Sequence, residues 1–82
     1  MNARLQFHPL GQAVGSLLRE RREGLHISQK DLAELAGLSV HTISDVESGN
    51  GNPTLEVMGK LGECLGLEVV LRPRAVTLED ER

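Results

Sequence analysis

The stretch from Ser28 to Gly49 constrains the fold most, because its residues mark the start and the end of two short helices. Ser28 is a helix-capping residue, and Asp31 follows it in the manner of a capping box. Gly37 suits the left-handed backbone that ends a helix, so this first element has only about eight residues. Ser39 then caps a second element, which Gly49 ends. The sequence therefore predicts two helices joined by a tight turn.

Small and apolar residues in the same stretch lie where two crossing helices need them. Ala33 is small enough to let the second helix cross closely over the first. Leu38 lies in the turn as an apolar plug, and Ile43 and Val46 recur at a helical spacing that holds the second helix on a core. Four residues of the second helix are left facing outward: Val40, His41, Ser44 and Asp45.

Apolar periodicity predicts one helix before this pair and another after it. Residues 10–23 carry apolar side chains at helical spacing, at Leu10, Val14, Leu17 and Leu18. Residues 1–9 show no period and end in Pro9, so we interpret them as an N-terminal arm. Thr54 caps the later helix and Gly66 closes it, which makes 10–66 one domain. Its predicted inner face consists of Leu55, Met58, Leu61 and Leu65.

Residues 67–73 predict a short strand, because they are β-branched and alternate in polarity. One face of this strand carries Leu67, Val69 and Leu71. A lone strand leaves its backbone groups unpaired, and an unpaired edge invites another chain. Nothing else in the sequence offers a partner, so we favour pairing with a second copy over a core strand within one chain. Residues 74–82 are mostly polar, and we interpret them as a disordered acidic tail.

Length and composition limit the class of protein. A chain of 82 residues makes one domain of marginal stability, which favours dimerisation. Cys64 is the single cysteine, so we expect no internal disulfide and a reducing, cytoplasmic compartment. We also expect no cofactor. Three scattered histidines and one cysteine do not fit the usual spacing of a structural zinc site, and no apolar run approaches the roughly 20 residues that span a bilayer. With a net charge of −3, any duplex binding must depend on local geometry.

Ten positions of the central stretch agree in one register with the phage-repressor type of helix-turn-helix family, the Cro/repressor group. The chain resembles this family over about residues 10–66. The matching residues are Gln29, Leu32, Ala33, Gly37, Leu38, Ser39, Ile43, Ser44, Glu47 and Gly49. The resemblance implies an all-α, repressor-type helix-turn-helix bundle of four to five helices. The strand at 67–73 is similar to the dimerising C-terminal β-strand of HipB-type antitoxins, which pairs with its twin across the dimer two-fold.

The resemblance also implies roles on double-stranded DNA. The helix that Ser39 caps would lie in the major groove, with its first residues at the base edges. The base-reading positions are Ser39, Val40, His41 and Ser44. The phosphate-contacting candidates are Gln29, Lys30, Asn50 and Asn52. Two residues depart from the family pattern: Val40 stands where glutamine is frequent, and Asp45 brings a negative charge near the phosphates.

Other residues have a structural as well as a functional interpretation. Arg22 and Glu47 match a structural ion pair of the resembled family, and we favour that pair over a phosphate contact for Arg22. Arg19 and Arg21 fit a solvated helix face better than a phosphate clamp. Cys64 has no readable base or cleft around it, so we expect it to be buried and inert.

These features predict a non-enzymatic, sequence-specific transcriptional repressor that binds a near-palindromic DNA operator as a homodimer. The strand adds the hypothesis of an autoregulatory antitoxin with a HipA-like kinase toxin as its partner. The alternative is a protein-interaction module with weak or no DNA binding. The low positive charge and Asp45 favour that alternative, whereas the set of Gln29, Ser39, His41 and Ser44 favours DNA binding.

Overall fold

The computed structural model describes residues 3–74, with the side chains of residues 10–74. Four helices follow one another: α1 (Ala3–Gly24), α2 (Gln29–Ala36), α3 (Val40–Ser48) and α4 (Leu55–Leu65). No strand occurs among the described residues, so this part of the chain is all-helical as predicted. None of the helices in this range combines the length and the apolar character needed to cross a membrane.

The predicted caps fix where the three later helices begin and end. The side-chain oxygens of Ser28, Ser39 and Thr54 each accept a hydrogen bond from the backbone amide three residues on, at 3.0–3.1 Å. This satisfies one of the amides that a helix start leaves without an intrahelical acceptor. Gly37 and Gly49 follow α2 and α3 in the left-handed conformation, with φ of 70° and 81°. The predicted bounds of α2 and α3 are therefore confirmed.

The core lies where all four helices meet. Its buried apolar side chains are Leu18, Leu32, Ala33, Ala36, Ile43, Val46, Leu61 and Leu65. Leu38 packs against this cluster from the turn, as predicted. Cys64 also packs against it but is half-buried, so the prediction of a buried Cys64 was only partly right. The predicted inner faces of the first and last helices were partly wrong, because Leu10, Leu17 and Leu55 are exposed.

Helix α1 begins earlier than the sequence pattern indicates. It extends from Ala3, so the prediction of a helix start near residue 10 was wrong. Residues 3–6 include good helix formers, and Pro9 has a φ that suits a helix although it lacks one amide hydrogen. The structure therefore places Pro9 within α1 and not at the start of the helix.

A glycine brings α1 against α3 at backbone distance. A Cβ atom at Gly15 would meet the carbonyl oxygens of Val46 and Glu47, the latter at 2.6 Å. Real Cβ atoms essentially never approach an oxygen so closely. Glycine at this position thus lets the backbones of α1 and α3 touch, and that contact sets the distance between the two helices.

The segment after α4 turns back over the end of that helix. The Leu67 amide donates to the Gly62 carbonyl oxygen at 2.8 Å, while Gly66 adopts φ of 70°. Leu67 packs against the core, whereas Val69 and Leu71 are exposed. Residues 67–74 have no regular secondary structure, because a ladder needs a second strand and the described residues contain none. The dimerising strand stays a prediction, and the predicted tail lies outside the described residues apart from Arg74.

Candidate nucleic-acid interface

Helix α3 has one buried side and one polar, exposed side. Ile43 and Val46 hold it on the core. We call the opposite side the α3 outer face; it consists of Val40, His41, Ser44 and Asp45. Residues one turn apart on a helix share a face, which is why these four lie together. The arrangement is a short helix that presents the apolar Val40 and three polar side chains to its surroundings.

Ser39 lies at the start of this face but is already occupied by its capping role. Its hydroxyl oxygen accepts from the Thr42 amide at 3.0 Å and lies 2.9 Å from the Thr42 hydroxyl. A serine hydroxyl has one hydrogen to donate and two lone pairs to accept with. The Ser39 hydroxyl therefore stabilises the start of α3, and this role already occupies part of its hydrogen-bonding capacity.

Three helices are joined behind the outer face by a network around Glu47. Arg22 of α1 donates from Nε to Glu47 Oε2 at 2.6 Å and from Nη2 to Glu47 Oε1 at 3.0 Å. Gln29 of α2 donates from Nε2 to the same Oε1 at 3.0 Å. Arg22 also reaches the Ile27 carbonyl oxygen at 2.9 Å. The predicted internal ion pair is thus present, and it fixes α3 relative to both preceding helices.

The network changes the protonation equilibria of both charged partners. Hydrogen bonding to Glu47 raises the pKa of Arg22 above its ordinary value, although burial opposes the rise. Burial alone would raise the pKa of Glu47, but hydrogen bonds from Arg22 and Gln29 outweigh it and hold that pKa below its ordinary value. Both groups are therefore charged at neutral pH, in a setting where an unpaired charge would be costly.

The structure places the predicted phosphate-contacting residues near one end of α3. Gln29 bonds to Glu47 in the last turn of the helix, and Lys30 follows Gln29 as an exposed residue. Asn50 and Asn52 are exposed on the loop after the helix. Gln29 uses one of its two amide hydrogens on Glu47, so the second remains for another acceptor. Among the phosphate-contacting candidates, Gln29 is thus the one that the structure joins to α3 by a hydrogen bond.

Asp45 has a partner on its own helix. His41 Nε2 lies 3.2 Å from Asp45 Oδ2, one helical turn away. The imidazole is 85% exposed and the carboxylate side chain 44% exposed. Asp45, whose negative charge departs from the pattern of the resembled family, therefore lies beside His41, the one residue of the α3 outer face that can become positive.

Two arginines of α1 that the sequence assigned to a solvated face have distinct contacts. Arg19 pairs with Glu23 at 3.1 Å on the exposed surface. Arg21 donates from Nε to the Leu65 carbonyl oxygen at 2.7 Å and so caps the end of α4. No sequence signal pointed to this cap, because the two residues are far apart in the chain.

A mostly apolar groove lies apart from the four residues of the α3 outer face, although its lining includes Asn50 and Asn52. Its volume is about 790 Å³, and it runs between α1, the loop after α3, α4 and residues 69–71. Its apolar lining includes Leu10, Val14, Leu55, Met58, Val69 and Leu71. Leu55 is 80% exposed and Leu71 is 93% exposed, which is unusual for large apolar side chains that lie together.

The chain belongs to the helix-turn-helix family, whose model matches residues 18–71. This match confirms the Cro/repressor type that the sequence resembles, and the family consists of DNA-binding transcription regulators.

Individual relatives agree with this assignment. An uncharacterised HTH-type transcriptional regulator of Mycobacterium tuberculosis is 38% identical over 66 residues, which are 79% of this chain and 47% of that protein. The chain thus spans about half the length of that relative. The ImmF control region 10 kDa protein of Bacillus phage phi105 is 25% identical over 87% of this chain and 80% of its own length. The crystal structure of the restriction-modification controller protein C.AhdI from Aeromonas hydrophila matches with a TM-score of 0.66 at 37% identity, covering 70% of this chain and 83% of that one.

Proposed function

We propose that the protein is a transcriptional repressor that binds a near-palindromic DNA operator as a homodimer through the α3 outer face. The observation that supports this proposal most is the way in which α3 is held in the fold. The helix is capped by Ser39, held on the core by Ile43 and Val46, and joined to α1 and α2 through Glu47. A rigidly held short helix with a polar exposed side can enter a major groove without reorganisation.

The residue types of the outer face suit base edges in the major groove. Ser44 and Ser39 have hydroxyls that can bond several bases, and His41 can donate or accept. Val40 provides an apolar contact of the kind that a thymine methyl group accepts. We assign contacts with the flanking phosphates to Gln29 and Lys30 at the start of α2 and to Asn50 and Asn52 beyond α3.

The apolar groove supports the homodimer. The proposed partner is a second copy, whose residues 67–73 would pair with the same segment across a two-fold axis. Leu55, Val69 and Leu71 are exposed in one chain, and burying each would stabilise a dimer by roughly 1.5–3 kcal/mol. The unpaired backbone of residues 68–73 would gain ladder partners in the same step.

DNA binding is tested by selecting duplexes from a random library with the purified protein. We expect an enriched near-palindrome whose half-sites are about one helical turn, or a multiple of one, apart. The slope of log K against log salt should have a magnitude of about 4–6 for a dimer, since few cations are available. The matched variants are Lys30→Ala and Lys60→Ala, which each remove one positive charge. Lys30→Ala should weaken binding and lower the slope, whereas Lys60→Ala on α4 should change neither.

Failure to enrich any sequence, with full dimerisation, would overturn the DNA-binding proposal and favour the protein-interaction alternative. The antitoxin role and a HipA-like kinase partner remain predictions of the sequence. Their test is copurification of a toxin expressed with this protein, and a complex stable through gel filtration would support them.

Dimerisation is tested by sedimentation velocity of Leu71→Lys. Deleting the whole segment is less informative, because Leu67 packs on the core and bonds to Gly62. The matched control is Leu35→Lys, since Leu35 is also exposed but lies on α2 outside the groove. We expect a monomer, or a much weaker dimer, only for Leu71→Lys. A dimer of unchanged strength in that variant would overturn the assignment of the interface.

A further inference from the structure

The pair on the α3 outer face joins a carboxylate to an imidazole, which is charged only when it is protonated. His41 Nε2 and Asp45 Oδ2 are 3.2 Å apart, and both side chains reach solvent. When the imidazole is neutral, the pair carries one negative charge. When the imidazole is protonated, the pair is neutral overall, and its two charges attract each other.

Among the described residues, no other charged group is paired with His41. Arg19, Arg21 and Arg22 of α1 are bound to Glu23, Leu65 and Glu47 respectively. Glu20 of α1 and the charged residues of α2, which are Lys30, Asp31 and Glu34, make no ion pair with it. Asp45 is therefore the charged group that contacts His41 among the described residues.

We propose that His41 and Asp45 act as one unit that takes up a proton when the protein binds DNA, so that operator affinity rises as the pH falls. This inference rests on the proposed function and specifies how the same surface is regulated. DNA presents a dense array of negative charges, which repels Asp45 and favours imidazolium over imidazole. Displacement of water from the interface also strengthens the attraction between His41 and Asp45.

The direction of the pH effect follows from proton linkage. A state that binds more protons gains stability as the pH falls, and here that state is the complex. Each proton taken up changes the affinity by at most about tenfold per pH unit. Asp45 opposes binding more strongly when His41 is neutral than when His41 is protonated. Asp45 is thus a residue whose effect on affinity depends on the charge of its neighbour.

The test measures binding of the full chain to its selected duplex by fluorescence anisotropy from pH 6 to pH 8 at constant salt. The wild-type dissociation constant should fall several-fold towards pH 6. His41→Gln should remove this dependence, while His26→Asn, at an exposed loop position, should keep it. Asp45→Asn should tighten binding at pH 8 and give a smaller gain at pH 6. In the His41→Gln background, Asp45→Asn should give the same gain at both pH values.

Two outcomes overturn the inference in different ways. Specific binding with an affinity that is equal at pH 6 and pH 8, or a dependence that His41→Gln leaves unchanged, contradicts the proton uptake and leaves the proposed function standing. The absence of specific binding at every pH overturns both. A gain from Asp45→Asn that is independent of pH in the wild-type background contradicts the coupling between the two residues.

Discussion

Removal of Arg22 is expected to destabilise the fold more than any surface substitution. Arg22 and Glu47 have side chains that are only 10% and 4% exposed, and their bidentate contact is supplemented by Ile27 and Gln29. Arg22→Ala leaves the Glu47 carboxylate buried, with Gln29 as its remaining side-chain donor. Breaking one side of a buried pair costs about 3–5 kcal/mol. A domain of this size has only about 4–12 kcal/mol of stability, so the loss is a large fraction.

The assay is urea and thermal unfolding followed by far-ultraviolet circular dichroism. A loss of this size should lower the melting temperature by more than about 12 °C. The matched control is Arg19→Ala, which breaks an exposed pair with Glu23 on the same helix and should cost only about 0.3–0.5 kcal/mol. Should Arg22→Ala not fold, the double variant Arg22→Met with Glu47→Leu should recover stability, because it leaves no charge unpaired. Melting temperatures of Arg22→Ala and Glu47→Ala within a degree or two of wild type would refute this reasoning.

Three further predictions concern packing, capping and pH. Gly15→Ala should lower the free energy of unfolding by about 1–3 kcal/mol in urea titrations, since its Cβ would meet the α3 backbone. Gly59→Ala, with open space around its Cβ, should raise that free energy by about 0.5–1 kcal/mol. An unchanged free energy of unfolding in Gly15→Ala would contradict the close contact. Arg21→Ala should cost about 1 kcal/mol by removing the bond to Leu65, and an unchanged urea midpoint would count against that cap. Because the pKa of Glu47 is lower in the folded state, its stabilisation is present above the unfolded pKa of about 4.3 and is lost as the pH falls through the folded pKa. The urea midpoint should therefore drop on acidification, less steeply in Glu47→Gln. An equal dependence of the urea midpoint on pH in both proteins would be the contrary result.

The local features of the fold could be predicted because they depend on neighbours in sequence. Ser28, Ser39 and Thr54 bond to amides three residues away, and glycine tolerates the backbone that ends a helix. The Arg22–Glu47 pair joins distant residues, and it was found only through the resemblance to a family that has such a pair.

The features that the sequence could not supply depend on how the helices are placed. Apolar spacing put Leu10 and Leu55 on inner faces, but both line the open groove and stay exposed. The role of Gly15 depends on the distance between α1 and α3, which no periodicity encodes. The pairing of His41 with Asp45 fits the helical spacing of four, so this contact was open to prediction from the sequence.

The central claim is that the α3 outer face reads base sequence, and competition binding with single-base variants of the selected operator tests it most directly. His41→Ala, measured at one fixed pH, should change the preference at specific base pairs, at symmetric positions of the two half-sites, by about 1–3 kcal/mol. Lys30→Ala should weaken all duplexes nearly equally, because phosphates carry no sequence. If His41→Ala lowered the affinity for every duplex by the same factor and left the base preferences unaltered, the assignment of His41 as a base-reading residue would be wrong.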